Sequence, residues 1–313
     1  MAEYRQPGVR TMTTQTQNKS IPLDIHHHML PSFYRQALRE RGFDSQQIPS
    51  WTPGDSLAMM DHVGIQKALL SVASPGTWFG DDEAACTLSR SCNEYAAELT
   101  RERPDRFGAL GSLPFPDLEG SIKELEYVLD RLKFDGVILL TNVSGQYIGD
   151  PEFETLLEEL DRRKAMVLLH PNDLPSSDEN APLHAWTEYP VDVVRAFARL
   201  MLNDYMVVYP NIRWTLSHGG GALPFLADRV GKLHYVRGKQ ILWGRIFKDL
   251  FAKRNGGLDL AKSLSYDSVG TGHPAAQASL NQLVKTEQIY FGSDFPWNSS
   301  LTASANPSTP AAK

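Results

Sequence analysis

Short apolar runs alternate along the chain with longer segments whose apolar residues recur every three or four positions. The runs predict strands at about 21–26, 67–72, 107–113, 136–140, 165–170, 212–218, 264–269 and 288–293. All but the last are followed by a segment of helical periodicity. Strands that alternate with helices form a parallel sheet, because each helix returns the chain to the edge where the next strand begins.

Eight such units in 313 residues predict an α/β fold, a closed (β/α)8 TIM barrel. A doubly wound open sheet is the alternative. That fold more often carries a glycine-rich dinucleotide-binding turn after its first strand, whereas the turn here reads His-His-Met-Leu-Pro. The sequence therefore favours the barrel.

The two ends of the chain have no apolar period. Residues 1–20 are polar, and we expect a disordered tail there. The barrel domain is expected over 21–297, and residues 298–313 predict an irregular or truncated C-terminus without a helix over the eighth strand. The outer faces of Ile289 and Phe291 would then lose their cover, which predicts low solubility or self-association.

The first predicted strand ends in a histidine cluster. Side chains alternate faces along a strand, so His26 and His28 point to one side and His27 to the other. Two imidazoles on one strand face can hold a divalent metal ion. A loop of three solvated histidines is the alternative, and the rest of the chain decides against it.

Other predicted strands also end in residues that bind metals. His170 ends the fifth strand and Asp294 follows the eighth, while Asp24 lies near the end of the first. The carboxyl ends of all eight strands meet at one face of a TIM barrel. Imidazole and carboxylate groups gathered there suit zinc, and also manganese or iron.

His218 ends the sixth predicted strand and precedes three glycines, which let the backbone approach a ligand closely. It can ligate the metal or act as an acid or base beside it, and we favour the second role. The remaining histidines are expected to be structural or on the surface: His62, His184, His234 and His273.

Composition excludes several classes of protein. The formal net charge is −6 and no basic run occurs, which argues against a nucleic-acid binder. The apolar runs are too short to span a bilayer. Two cysteines, Cys86 and Cys92, and no secretory apolar segment predict a reduced, cytoplasmic enzyme. No nucleophile elbow, Walker motif or Rossmann fingerprint occurs, so the supported chemistry is centred on a metal.

Four motifs together resemble the amidohydrolase-2 branch of the amidohydrolase superfamily. They are Asp24-Ile-His-His-His-Met-Leu-Pro31, His170-Pro171, Ser217-His-Gly-Gly-Gly-Ala-Leu-Pro224 and Gly292-Ser-Asp-Phe-Pro296. The branch contains aminocarboxymuconate-semialdehyde, γ-resorcylate and 6-methylsalicylate decarboxylases, and the resemblance covers roughly residues 21–297. Further stretches, such as Trp51 to Asp61 and Ser74-Pro-Gly76, are most similar to the 6-methylsalicylate group.

The resemblance implies a barrel of the metal-dependent hydrolase type with one divalent ion, zinc as the expected metal and manganese as the alternative. Its ligands would be the residues that match the motifs: His26, His28, His170 and Asp294. It also implies a catalytic role for His218 beside the metal. Arg229 matches an arginine that binds the substrate carboxylate, in some members across a dimer interface, so we expect a homodimer or higher homo-oligomer.

The implied activity is the decarboxylation of a small aromatic carboxylate, an ortho-hydroxybenzoate such as 6-methylsalicylate, to 3-methylphenol and CO2. Asp294 is the candidate proton donor to the ring carbon. Trp186, Trp297 and Phe79 are candidates for the pocket walls. The alternatives are a metal-dependent hydrolase of a lactone or amide, and a truncated, inactive family member.

Overall fold

The strands follow one another round the sheet in their order along the chain. The computed structural model describes residues 21–43, 48–173, 184–232 and 256–298. The strands are β1 (Ile21–His28), β2 (Ile65–Ser71), β3 (Phe107–Ser112), β4 (Gly136–Leu140), β5 (Asn142–Val143), β6 (Gln146–Tyr147), β7 (Met166–His170), β8 (Arg213–Leu216), β9 (Ser265–Asp267) and β10 (Ile289–Tyr290). β5 and β6 form a separate antiparallel hairpin, and the other eight form one parallel sheet in sequence order.

Helices connect successive strands of this sheet. They are α1 (Ser32–Glu40), α2 (Pro53–Val63), α3 (Asp82–Glu102), α4 (Leu118–Glu126), α5 (Glu154–Arg162), α6 (Tyr189–Leu202), α7 (Tyr205–Val208), α8 (Leu223–Gly231), α9 (Gly257–Ser263) and α10 (Pro274–Leu283). Asp81 is the N-cap of α3, and its side chain accepts a hydrogen bond from the backbone N–H of Ala84. No helix in the described ranges is both long and apolar enough to cross a membrane.

The sheet closes between its first and last strands. Single parallel bridges join Asp24 to Phe291 and His27 to Phe295, and Ile25 N–H donates to the Phe291 carbonyl at 3.1 Å. The prediction of an eight-stranded parallel barrel is therefore confirmed.

Several predicted strands are shorter in the structure, and two of them precede candidate catalytic residues. β8 ends at Leu216, not at His218, because His218 has a φ of 52° that an extended strand cannot accommodate. Regular pairing in the last strand ends at Tyr290, and Asp294 again has a positive φ, 55°. Both candidate catalytic residues thus lie in tight backbone turns just beyond a strand.

Ile289 and Phe291 are half-buried, and each packs against a cluster of buried apolar residues. The predictions for residues 1–20 and for residues 299–313 lie outside the described residues. The expectation of a missing final helix is among them.

Both cysteines and two of the remaining histidines lie on helices or at a helix end. Cys86 and Cys92 both lie on α3 with free thiols, and Cys92 is buried. His62 is exposed on α2. His273 caps α10 by accepting a backbone N–H at a ring nitrogen. The His184 side chain and His234 lie outside the described part.

A layer of apolar side chains fills the inside of the barrel below the strand ends. Its buried members are Ile25, Leu69, Leu110, Ile138 and Leu168. Leu168 and His170 lie two residues apart on β7 and therefore share a strand face. The layer therefore lies directly below the histidines and forms the floor of the barrel mouth.

Leu168→Ala is expected to lower the free energy of unfolding by about 2–5 kcal/mol, because it leaves a cavity in this floor. Urea denaturation of the metal-free protein measures the change. Val208→Ala, at a position 37% exposed on α7, is the control and should change stability by about 0.5 kcal/mol or less. An equal loss in both variants would contradict a tightly packed barrel interior.

Candidate metal centre

Four residues from three strand ends converge inside the mouth of the barrel. The His26 and His28 Nε2 atoms, both on β1, are 2.8 Å apart. Asp294 Oδ1 lies 3.4 Å from the His26 Nε2 and 3.3 Å from the His28 Nε2. One candidate ligand atom from each of these residues and from His170 lies within 4.8 Å of the others. The structure therefore brings together the whole predicted ligand set.

The other ring nitrogen of each histidine is already engaged. His26 Nδ1 lies 2.5 Å from the Asp267 carboxylate, His28 Nδ1 lies 2.9 Å from the Ser71 hydroxyl, and His170 Nδ1 lies 2.7 Å from the Pro171 carbonyl. Such contacts fix the tautomer and the ring orientation. With the proton on Nδ1, each imidazole presents the lone pair of Nε2 to the centre.

The three imidazole nitrogens and one carboxylate oxygen fit a divalent transition-metal ion. All three rings are buried, and the Asp294 side chain is only 16% exposed. Zinc and manganese both accept nitrogen and carboxylate ligands. The donor set therefore matches the group that the sequence implies.

Charge in the metal-free site is concentrated on a few groups. Burial disfavours the His26 imidazolium, but Asp267 and Asp294 outweigh burial and raise the pKa of His26 to about 10. Burial, together with the charge on His26, lowers the pKa of His28 to about 4. Burial alone would raise the pKa of Asp294, but hydrogen bonds from His26 and His28 hold it well below its usual range. A cation bound here would replace the proton on His26 Nε2, which faces Asp294, and leave the Nδ1 proton with Asp267.

His218 lies beside the four ligands and is not one of that group. Its ring centroid is 5.2 Å from the His26 ring and 5.4 Å from the His170 ring. Among the described residues, its buried Nε2 atom has no hydrogen-bond partner. Burial lowers the pKa of His218, so the ring is neutral near pH 7. A neutral imidazole with a free nitrogen is suited to contact a substrate or a water molecule.

Asp267 is a functional residue that the sequence did not single out. It is fully buried at the end of β9. Its Oδ2 contacts His26, and its Oδ1 accepts the backbone N–H groups of Gly219 and Val269, each at 3.0 Å. One carboxylate therefore orients a candidate ligand and holds the turn that follows His218. The sequence signal that could have identified Asp267 is a charged residue at the end of an apolar strand.

Tyr189 is a second residue that sequence reasoning missed. Its ring centroid lies 6.5 Å from the His170 ring and 6.4 Å from the His218 ring. Its hydroxyl donates to Ser74 Oγ at 3.0 Å, and Ser74 donates to Asn172 Oδ1 at 2.5 Å. Tyr189, at the start of α6, therefore links this side of the barrel mouth to the loop after β2.

The proposed wall residues remain predictions. Trp186 is 83% exposed and Trp297 is 36% exposed, while Phe79 packs edge-on against Phe43, with ring centroids 5.9 Å apart. Tyr189, in contrast, packs directly against two of the histidines. Within the ranges that the structure describes, Tyr189 is therefore the better supported wall residue.

Arg229 is exposed on α8. Within the described residues its side chain makes no hydrogen bond or ion pair. The described contacts of one chain therefore do not join Arg229 to the candidate ligands, and its predicted role in binding substrate remains a prediction.

Comparison with known proteins identifies the family of the chain. A family model described as "Amidohydrolase" matches residues 23–305. The chain belongs to the amidohydrolase family. Two fungal relatives cover most of its length. The decarboxylase yanB of Aspergillus niger is 34% identical over 293 residues, 88% of this chain and 77% of the relative. The 6-methylsalicylic acid decarboxylase of Penicillium expansum is 30% identical over 285 residues, 88% of this chain and 84% of the relative.

Two solved structures share the same fold. An amidohydrolase II structure is 29% identical with a TM-score of 0.79, and the match covers 90% of this chain and 89% of that one. The 5-carboxyvanillate decarboxylase of Novosphingobium aromaticivorans, complexed with manganese and 4-hydroxy-3-methoxy-5-nitrobenzoic acid, has a TM-score of 0.77 at 20% identity, covering 92% of this chain and 90% of that one. The second likeness supports the barrel fold alone.

Metal content should separate the candidate ligands from His218. Asp294→Ala is expected to lose both metal and activity, because it removes one of four protein ligands. His218→Ala is expected to keep near-stoichiometric metal while turnover falls by about a hundredfold or more, as for other acid–base groups. Elemental analysis of the purified variants measures their metal content, and a turnover assay measures their activity. Loss of metal in His218→Ala would make His218 a ligand, and full metal in Asp294→Ala would contradict the site.

Proposed function

We propose that this chain is a metal-dependent decarboxylase of an ortho-hydroxybenzoate, and that 6-methylsalicylate is its substrate, converted to 3-methylphenol and CO2. The observation that carries the proposal is the centre of three oriented imidazoles and Asp294, with the free nitrogen of His218 beside it. The decarboxylase names of the fungal relatives support the reaction, and the 30% identical 6-methylsalicylic acid decarboxylase supports the substrate.

The residues that would hold the ion are His26, His28, His170 and Asp294. When bound, a divalent ion supplies a Lewis acid and a template for the oxygens of the substrate. Zinc is the expected ion for this donor set, and manganese, which accompanies the related 5-carboxyvanillate decarboxylase, is the alternative.

Proton transfer falls to Asp294. Loss of CO2 leaves negative charge on the ring carbon, which must gain a proton. Asp294 is ionised because its pKa is held low, so it can give a proton only after it has taken one. We assign the source of this proton to the phenolic hydroxyl of the substrate. Asp294 would accept that proton and return it to the ring carbon as CO2 leaves, and the phenolate product would take a further proton from water to give 3-methylphenol.

His218 would take part in the same step while its own ring stays neutral. The neutral ring presents an unpartnered Nε2 beside the ligands. A hydrogen bond from that nitrogen can orient the substrate carboxyl group or the Asp294 carboxyl group. The backbone turn held by Asp267 fixes the position of His218.

Arg229 would bind the carboxylate of the substrate. Because it is exposed and unpaired within the described chain, we propose that it reaches the site of a second copy in a homodimer. A guanidinium group pairs with carboxylate through a planar fork, which a lysine ammonium cannot reproduce.

Incubation of the metal-loaded protein with 6-methylsalicylate should release one CO2 for each 3-methylphenol formed. 2-Methylbenzoate, which lacks the hydroxyl that supplies the proton, should release none. A panel of lactones and amides tests the hydrolytic alternative. Hydrolysis of a lactone without CO2 release from any salicylate would contradict the proposed function, as would equal decarboxylation of 2-methylbenzoate.

Arg229→Lys should raise the KM for 6-methylsalicylate by about tenfold or more, because a paired, charge-assisted contact is lost. Metal content should not change. Arg162→Lys, which alters a surface ion pair with Glu159 on α5, is the matched control. An unchanged KM in Arg229→Lys would remove this arginine from the site.

A further inference from the structure

His27, the middle histidine of the β1 cluster, contacts a buried carboxylate and does not face the candidate metal centre. His27 is fully buried, and its Nδ1 lies 3.1 Å from Asp24 Oδ2. Its Nε2 lies 2.8 Å from the hydroxyl of Ser56, which also accepts the indole N–H of Trp51 at 2.8 Å. The Ser56 hydroxyl proton is therefore available to His27 Nε2, which leaves the Nδ1 proton of His27 for Asp24.

The other oxygen of Asp24 reaches the segment that carries Asp294. Asp24 Oδ1 accepts the backbone N–H of Ser293 at 3.0 Å and that of His26 at 3.2 Å. The Asp294 N–H donates in turn to the His26 carbonyl at 2.8 Å. Asp24 thus links β1, which carries His26 and His28, to the turn that carries Asp294.

The tie is needed because Asp294 has a left-handed backbone. A positive φ is uncommon for a residue other than glycine, and it persists where surrounding contacts hold it. The Ser293 N–H lies at the start of this turn. Without a firm acceptor for it, the turn is free to relax toward ordinary φ values and to move the Asp294 carboxylate away from the histidines.

Asp267 repeats the same arrangement beside His218. One of its oxygens contacts a β1 histidine, and the other accepts the backbone N–H next to His218, the second candidate residue with a positive φ. Each left-handed residue of the site is therefore flanked by a backbone N–H that a buried carboxylate accepts. The two arrangements differ in one respect: Asp267 contacts His26, a candidate ligand, whereas Asp24 contacts His27, which is not one.

We propose that His27 is a positioning residue that strengthens metal binding. By donating to Asp24, it fixes the carboxylate that holds the Ser293–Asp294 turn, and so keeps Asp294 in place to ligate. This inference concerns affinity for the ion and does not depend on which carboxylate the protein decarboxylates.

Two substitutions at His27 separate this role from packing. In His27→Asn, the amide nitrogen occupies the place of Nδ1 and can still donate to Asp24. In His27→Gln, the amide nitrogen occupies the place of Nε2, so the contact to Ser56 can remain while the one to Asp24 is lost. Ser56→Ala is the control that removes the outer partner and leaves the Asp24 contact.

Competition of the metal-free proteins with a chromophoric chelator for Mn²⁺ gives the Kd of each. We expect His27→Gln to weaken Mn²⁺ binding by about tenfold or more, the usual effect of losing a group that orients a ligand. His27→Asn and Ser56→Ala should stay within about threefold of the unaltered protein. Hydrogen–deuterium exchange should be faster in His27→Gln for the peptide with Ser293 and Asp294, and unchanged for peptides of α5.

Asp24→Asn gives a second route if His27→Gln does not fold, because it replaces the oxygen that accepts from His27 by an amide group. It should also weaken Mn²⁺ binding by about tenfold or more. Unaltered Mn²⁺ affinity in a folded His27→Gln or Asp24→Asn protein would overturn the proposal. Equal weakening in His27→Asn and His27→Gln would do so too, because it would show a role in packing only.

Discussion

The meeting of the first and last strands is the contact on which the site depends. His26 and His28 lie on β1, whereas Asp294 lies more than 260 positions later, and only closure of the barrel brings them together. Two of the backbone contacts that close the barrel lie at the site itself: Asp294 N–H to the His26 carbonyl at 2.8 Å, and His28 N–H to the Phe295 carbonyl at 2.7 Å. The fold and the metal centre are therefore completed by the same contacts.

Buried charge is the cost of this arrangement. Asp24 and Asp267 are fully buried, and a buried carboxylate is tolerated only when hydrogen bonds satisfy its oxygens. Each accepts contacts from one β1 histidine and from two backbone N–H groups. These contacts stabilise the carboxylates and, in the same geometry, restrain the turns of Asp294 and His218. Stability and preorganisation of the site thus have a common physical origin.

The sequence predicted the barrel and the ligand set because both follow from periodic rules. Alternation of side chains along a strand puts His26 and His28 on one face, and parallel strands bring His170 and Asp294 to the same end. The supporting residues obey no such rule. Asp267 acts on His26 across 241 positions, and Tyr189 reaches His170 from the start of a helix. The positive φ of His218 and Asp294 depends on tertiary contacts that local sequence does not specify.

Anomalous diffraction from a crystal of the manganese-loaded protein tests the central claim most directly. The account predicts one strong peak per chain, at about 2.0–2.3 Å from Nε2 of His26, His28 and His170 and from a carboxylate oxygen of Asp294. His218 should lie beyond bonding distance from that peak. Manganese bound elsewhere, or bound through His218 in place of one of the four, would contradict the account.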